Sequence, residues 1–404
     1  MNSGVGGGLG RVWWISSLAC AIAAACGGAS SGTGAGSSDG SGSGSGDSSG
    51  SASATTTAGT TASTSAGTTA TSDATTGMTT QATTGVDGST TADDAGGCGD
   101  GPACEAPWVC APAGYCASTT GVPQFDRVFV VIFENRSLTS VMGHAPYLDG
   151  LAEIGAYATA FNSVMHPSLP NYLAMTSGDT QGVACDCHPG PENDCSQLTC
   201  NLIASGCDCP ADVEHLGDQL DAAGISWREY GEGMGTPCNP DDDNAVHYAT
   251  KHLPFMYYSN VFDDAPRCQE HLRDYGDFAG DLAAQSRRFS MISPDLCNDM
   301  HDNCGGNPVT HGDTWASANL ATILGTAGFA DGGRDVLFVV WDEQDNSIGD
   351  APIPFIVVSP LVEPGAVTEL PYDHYSLLAT WEDGFGVPRL GHAAEAAPIT
   401  DIWR

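Results

Sequence analysis

Two runs of six residues without a charged or amide side chain, Val128–Phe133 (VFVVIF) and Val336–Trp341 (VLFVVW), constrain this chain more than anything else in it. A segment that is apolar at every position and rich in β-branched residues offers no face to water, so it reads as a strand covered on both sides of a sheet. Less pure runs stand at Ile225–Tyr230, Phe289–Ser293 and Phe355–Ser359. Between them, helical patterns occupy Ala145–Gly155, Asn171–Thr176, Ala211–Ala223, Thr314–Leu324 and His374–Phe385. This alternation predicts an α/β fold, a mostly parallel central sheet flanked by helices. In such sheets chemistry gathers just beyond the carboxyl ends of the strands.

What stands beyond those ends is acidic. Glu134-Asn135-Arg136-Ser137 follows the first run and Asp342-Glu343 follows the run at Val336–Trp341. Hard oxygen donors brought together there suit a divalent cation such as Mg²⁺, Ca²⁺, Mn²⁺ or Zn²⁺, although acidic residues also end strands at solvent with no ion present. A third motif is His166-Pro167-Ser168-Leu169-Pro170-Asn171-Tyr172, running on to Gly178. Pro170 suits a first helical turn, which puts Ser168 or Leu169 near the N-cap. Ser168 is then either a cap or a nucleophile whose phosphoryl adduct is stabilised by the helix dipole and free N–H groups.

The flanks carry their own signals. Residues 1–26 read as an export leader: Arg11 precedes the apolar stretch Val12–Ile15 and Leu18–Ala25, too short for a membrane span. It ends Ala23-Ala24-Ala25-Cys26-Gly27-Gly28, which resembles a bacterial lipoprotein cleavage site with Cys26 lipidated; Cys20 competes, and plain cleavage would release a secreted protein. Residues 27–97, nearly all Ser, Gly, Thr and Ala, cannot bury enough apolar area to fold and read as a disordered tether. A small module at 98–117 follows, with Cys98, Cys104, Cys110 and Cys116 in one of three disulfide pairings, zinc being the rival. The foldable body is 123–404. Sixteen Cys point to an oxidising compartment, and six of them (Cys185, Cys187, Cys195, Cys200, Cys207, Cys209) crowd an insertion after the serine motif. With 12 Lys+Arg against 49 Asp+Glu, a net charge of −37 excludes a general nucleic-acid binder.

These motifs resemble the phosphoesterase family of bacterial acid phosphatases and phospholipases C, within the alkaline-phosphatase superfamily. The resemblance is carried by Phe133 to Ser137, His166 to Gly178, Lys251-His252-Leu253-Pro254-Phe255, Pro294 to Asp302, Trp341-Asp342-Glu343 and Asp373 to Leu378. It implies one metal ion bound by Glu134, Asn135, Ser168, Asp342 and Glu343, with Ser168 also the phosphorylated nucleophile. It further implies that Asn171, His252 and His301 touch the phosphate, with the histidines protonating the leaving group. His166 is expected to orient the serine loop and His374 to be structural; Asp299 and Asp313 could contribute to a second ion, but one metal is expected. The expected activity is acid phosphatase, cleaving monoesters of a small molecule or lipid headgroup at the cell envelope, membrane-held if Cys26 is acylated. The alternatives are a phospholipase C-type phosphodiesterase, told apart by its products, and a non-catalytic surface lipoprotein, which would bind no metal and turn nothing over.

Overall fold

The computed structural model of the chain describes residues 97–99, 101–193, 209, 211–345 and 351–404. The expected leader with Cys26, and all but the last residue of the expected tether, lie outside the described residues. Eight strands form the central sheet: β1 (Val128–Phe133), β2 (Ala156–Ala158), β3 (Trp227–Gly231), β4 (Leu272–Asp274), β5 (Phe289–Ser293), β6 (Val336–Trp341), β7 (Phe355–Val358) and β8 (Ala366–Thr368). Their order in space is β8-β2-β7-β6-β1-β5-β3-β4. Only the two pairings made by β7 are antiparallel, so every other strand points the same way. The two pure apolar runs are neighbours at the centre, in register from Val128 against Val336 to Phe133 against Trp341, and all their residues are buried.

Seven helices matter here: α1 (Pro146–Ile154), α2 (Ser168–Ser177), α3 (Leu216–Ala222), α4 (Ala265–His271), α5 (Phe278–Ala284), α6 (Pro308–Leu324) and α7 (His374–Phe385). The serine helix α2 is buried at all ten positions and packs against α7. It ends at Gly178, which sits at φ 75, and a side chain there would strike the Leu390 carbonyl oxygen at 2.3 Å; only glycine fits. Helix α6 starts six residues before the expected Thr314, because Asn307 caps it by accepting from Val309 N and Thr310 N and Pro308 fills the first position.

The cysteines among the described residues are joined in disulfides. Cys98–Cys110 and Cys104–Cys116 staple the small hairpin Val109–Cys110 with Cys116–Ala117, and the body holds Cys187–Cys209, Cys238–Cys268 and Cys297–Cys304. Cys185 is disulfide-bonded as well; Cys195, Cys200 and Cys207 lie outside the described residues. The stapled module is continuous with the body: Gln124 N donates to Cys116 O at 2.8 Å, Phe125 N to Gly384 O at 2.9 Å, and Thr120 Oγ1 to Asp383. Among the described residues no helix is long and apolar enough to cross a membrane.

Candidate active site

Because Trp341 pairs with Phe133, the two central strands leave the sheet side by side, and Glu134 and Asp342 follow at adjacent positions. The turn is locked by Asp342 N donating to Phe133 O at 3.1 Å and Asn135 N donating to Asp342 Oδ1 at 3.0 Å. Asn135 takes the left-handed conformation, φ 50, that an Asn tolerates, and its Nδ2 lies 3.4 Å from Glu134 Oε2. The loop after β5 returns to Asp299, whose carbonyl accepts from Glu134 N at 2.7 Å. Helix α2 then supplies Ser168, whose Oγ donates to Glu134 Oε2 at 3.0 Å, and one turn later Tyr172, whose hydroxyl donates to Glu134 Oε1. Ser168 is the first helical residue, one past the N-cap position that Pro167 holds.

His252 lies flat against Tyr172, ring centroids 5.5 Å apart, with Nε2 3.3 Å from Glu134 Oε1 and Nδ1 3.3 Å from Asp299 Oδ2. Both its nitrogens therefore face carboxyls. His301, 6.1 Å away between ring centroids, is the more accessible histidine, and Asp302 holds its Nδ1 at 2.8 Å. That contact fixes the ring and leaves Nε2 as the nitrogen not engaged by Asp302.

The electrostatics follow from crowding carboxyls in a dry place. Burial first, then Asp342 and Asp299, hold the Glu134 pKa well above the usual carboxylate range. Burial, with Asp342 and Asp295 adding to it, does the same to Asp299. Glu343 is pushed up to about 9 by burial, Asp342 and Asp186. Burial, then the charges of Lys251 and His301, lower the His252 pKa. Two cations reach this cluster: Lys251, whose charge acts on Glu134 and Asp342, and Arg136, which acts on Asp299. Asp342 Oδ2 remains buried with no hydrogen-bond partner. A donor set of hard oxygens with an orphaned carboxylate atom and surplus negative charge fits a divalent cation.

The expected residues divide into those that meet and those that do not. Glu134, Asn135, Ser168 and Asp342 come together at the central strand ends, with His252 and His301 beside them. Asn171 is spent elsewhere: its Oδ1 accepts from Val164 N and Met165 N, and its Nδ2 donates to Met165 O and Pro167 O. All four hydrogen-bonding positions of the amide are filled, so Asn171 shapes the loop before Ser168 instead of touching a phosphate. Glu343 is turned onto His166 Nδ1, and His166 Nε2 lies 3.0 Å from Gln344 Nε2. Glu343 thus braces the serine loop through His166. Asp313 caps α1, accepting from Tyr147 N and Leu148 N at 3.0 Å, and does not approach Asp299 as a second ligand. His374 is buried, its Nε2 2.6 Å from the Asp342 carbonyl.

Three residues of the site went unassigned in the sequence. Tyr172 had a signal, standing four residues after Ser168 on the same helix face. Asp302 had one too, adjoining His301. Asp186 had none: it comes from the cysteine-crowded insertion, and its Oδ1 accepts from Leu169 N at 3.0 Å while its Oδ2 accepts from Lys251 Nζ at 2.9 Å.

The model of the phosphoesterase family matches residues 151–388, more than half of the chain. The chain belongs to the phosphoesterase family. The matched segment holds Ser168, His252, His301, Asp342 and Glu343, while Glu134 and Asn135 precede it. Among relatives of this phosphoesterase, a phosphatidylinositol-3-phosphatase of Mycobacterium tuberculosis is 31% identical over 311 residues, 74% of this chain and 89% of the relative. A probable acid phosphatase of Kluyveromyces lactis is 27% identical over 289 residues, 69% of this chain and 62% of the relative. The chain thus spans about three fifths of that yeast protein. A solved structure of an alkaline-phosphatase-superfamily protein from Vibrio parahaemolyticus superposes with a TM-score of 0.44 at 11% identity, covering 69% of this chain and 71% of that one. The phosphoesterase is a hydrolase of phosphoric ester bonds.

Proposed function

We propose that the chain is an exported acid phosphatase that cleaves phosphate monoesters through a phosphoserine formed at Ser168, with one divalent metal ion in attendance. One observation carries the reading. Ser168, the first residue of α2, spends its hydroxyl on Glu134 inside the carboxyl cluster at the ends of the two central strands.

In the proposed reaction Ser168 Oγ attacks phosphorus, forming the new O–P bond as the ester P–O bond breaks in line. Its proton passes to Glu134 Oε2, which already accepts the Ser168 hydroxyl's hydrogen bond at 3.0 Å. The departing alkoxide takes a proton from His301 Nε2, the ring being held by Asp302. Water then attacks the phosphoserine, giving its proton to His301, and Ser168 leaves with the proton stored on Glu134. Glu134, Asn135, Asp342 and Ser168 are the residues that would hold the metal, which would offset phosphoryl charge and acidify the hydroxyl. The name of the mycobacterial relative favours an inositol-lipid headgroup as the class of monoester; the disulfides favour an oxidising, exported setting. Lipidation at Cys26 belongs to the same proposal, as the means of holding such an enzyme at a membrane.

The test is hydrolysis of a chromogenic phosphate monoester by the purified chain, with and without chelator, beside Ser168→Ala. Loss of about a thousandfold or more in kcat is expected for the variant, with loss on chelation. Turnover indifferent to both treatments would end the reading.

A further inference from the structure

A phosphoseryl enzyme must hold the non-bridging oxygens of the phosphoryl group, and the fold offers two donors beside Ser168. One is the Leu169 N–H in the first turn of α2; the other is the Lys251 ammonium, whose charge acts on Glu134 and Asp342. Both already hold an anion. A single carboxylate bridges them, Asp186 Oδ1 on Leu169 N at 3.0 Å and Oδ2 on Lys251 Nζ at 2.9 Å, much as two oxygens of a phosphate would. The pair sits at the edge of solvent, with side chains 26% and 21% exposed for Asp186 and Lys251, so an incoming anion can reach it. Asp186 is flanked by Cys185 and Cys187, both disulfide-bonded, which tie it to the insertion.

We propose, resting on the phosphatase reading and refining it, that Asp186 sets the site's affinity for phosphate: its carboxylate competes with phosphoryl oxygens for Leu169 N–H and Lys251, and so loosens the site's grip on phosphate. Weak ground-state binding has a use. An interaction withheld from substrate and product alike does not slow release of the inorganic phosphate left at the end of each turnover.

The experiment compares the full chain with Asp186→Asn and Lys251→Gln, using inorganic phosphate as the probe. Its affinity is read twice, as competitive inhibition of monoester hydrolysis and by calorimetry without substrate. Asp186→Asn keeps an oxygen for Leu169 N–H but frees the Lys251 charge. Phosphate should then bind about tenfold more tightly, with KM falling in parallel. Lys251→Gln removes the cation and leaves Asp186 in place, so phosphate should bind about tenfold more weakly. Unchanged or weaker phosphate binding in folded Asp186→Asn would overturn the proposal, as would indifference to Lys251→Gln, and Asp186 would then merely fasten the insertion to α2. If the unaltered chain turns over monoester while phosphate affinity ignores Asp186, only this proposal fails. If the unaltered chain neither hydrolyses monoester nor binds phosphate, the phosphatase reading fails and this one with it.

Discussion

At the scale of single residues, His301 and Asp302 divide the proton chemistry from the nucleophilic chemistry. A group that donates a proton to the leaving oxygen matters most when that oxygen is basic. His301→Asn should therefore cost an alkyl phosphate about a hundredfold in kcat, and an aryl phosphate with an acidic leaving group about tenfold or less. Asp302→Asn should follow the same order with smaller losses, since it only steadies the ring. Equal losses on both substrates would remove His301 from the general-acid role. Much of this cluster was legible beforehand because its members stand directly after apolar runs, as Glu134 and Asp342 do, or inside a dense motif, as Ser168 does. What escaped notice was direction. Nothing in Asn171 or Glu343 as letters says that the first would turn back on residues 164–167 or that the second would meet His166. Asp186 was invisible because it arrives from an insertion whose placement depends on disulfides.

At the scale of elements, the loop between β5 and α6 carries Asp299, His301 and Asp302, and the Cys297–Cys304 bridge closes it over a sequence separation of 7. Cross-linking so short a loop restricts the unfolded chain by roughly 2–3 kcal/mol. The more telling consequence is local. Replacing both cysteines by serine should lower kcat about tenfold, through misplacement of His301, while a melting curve still shows a cooperative transition. Full activity in the double serine variant would show that the loop holds its own shape. The long apolar strands were readable because they are buried along their whole length, and α7 (His374–Phe385) because all but Tyr375 and Asp383 are buried. The short strands β2, β4 and β8, three residues each, were not, since so few positions carry no period. Helices α4 and α5, with mixed polar faces and seven residues apiece, were lost for the same reason.

At the scale of the whole molecule, buried acids outside the site tune stability to pH. Glu382 on α7 is buried, accepts from Leu390 N at 2.8 Å, and is pushed up to about 9 by that burial. Glu229 on β3 is fully buried, and burial raises its pKa well above the usual range too. A carboxyl raised in the folded state stabilises the fold below its unfolded pKa, near 4.5, and that contribution is lost as pH rises through 9. The chain should therefore melt higher at pH 5 than at pH 9. Glu382→Gln should flatten the slope by an amount on the order of a few kcal/mol, and an unchanged slope would mean Glu382 is ionised when folded. The geography of α7 has a further consequence. Its first residue, His374, touches Asp342 at the catalytic end, and its last turn meets Phe125 and Thr120 beside the stapled hairpin. One helix thus links the backbone of an acidic site residue to the ground on which the disulfide hairpin stands, so a slip of α7 along its axis would be felt at both.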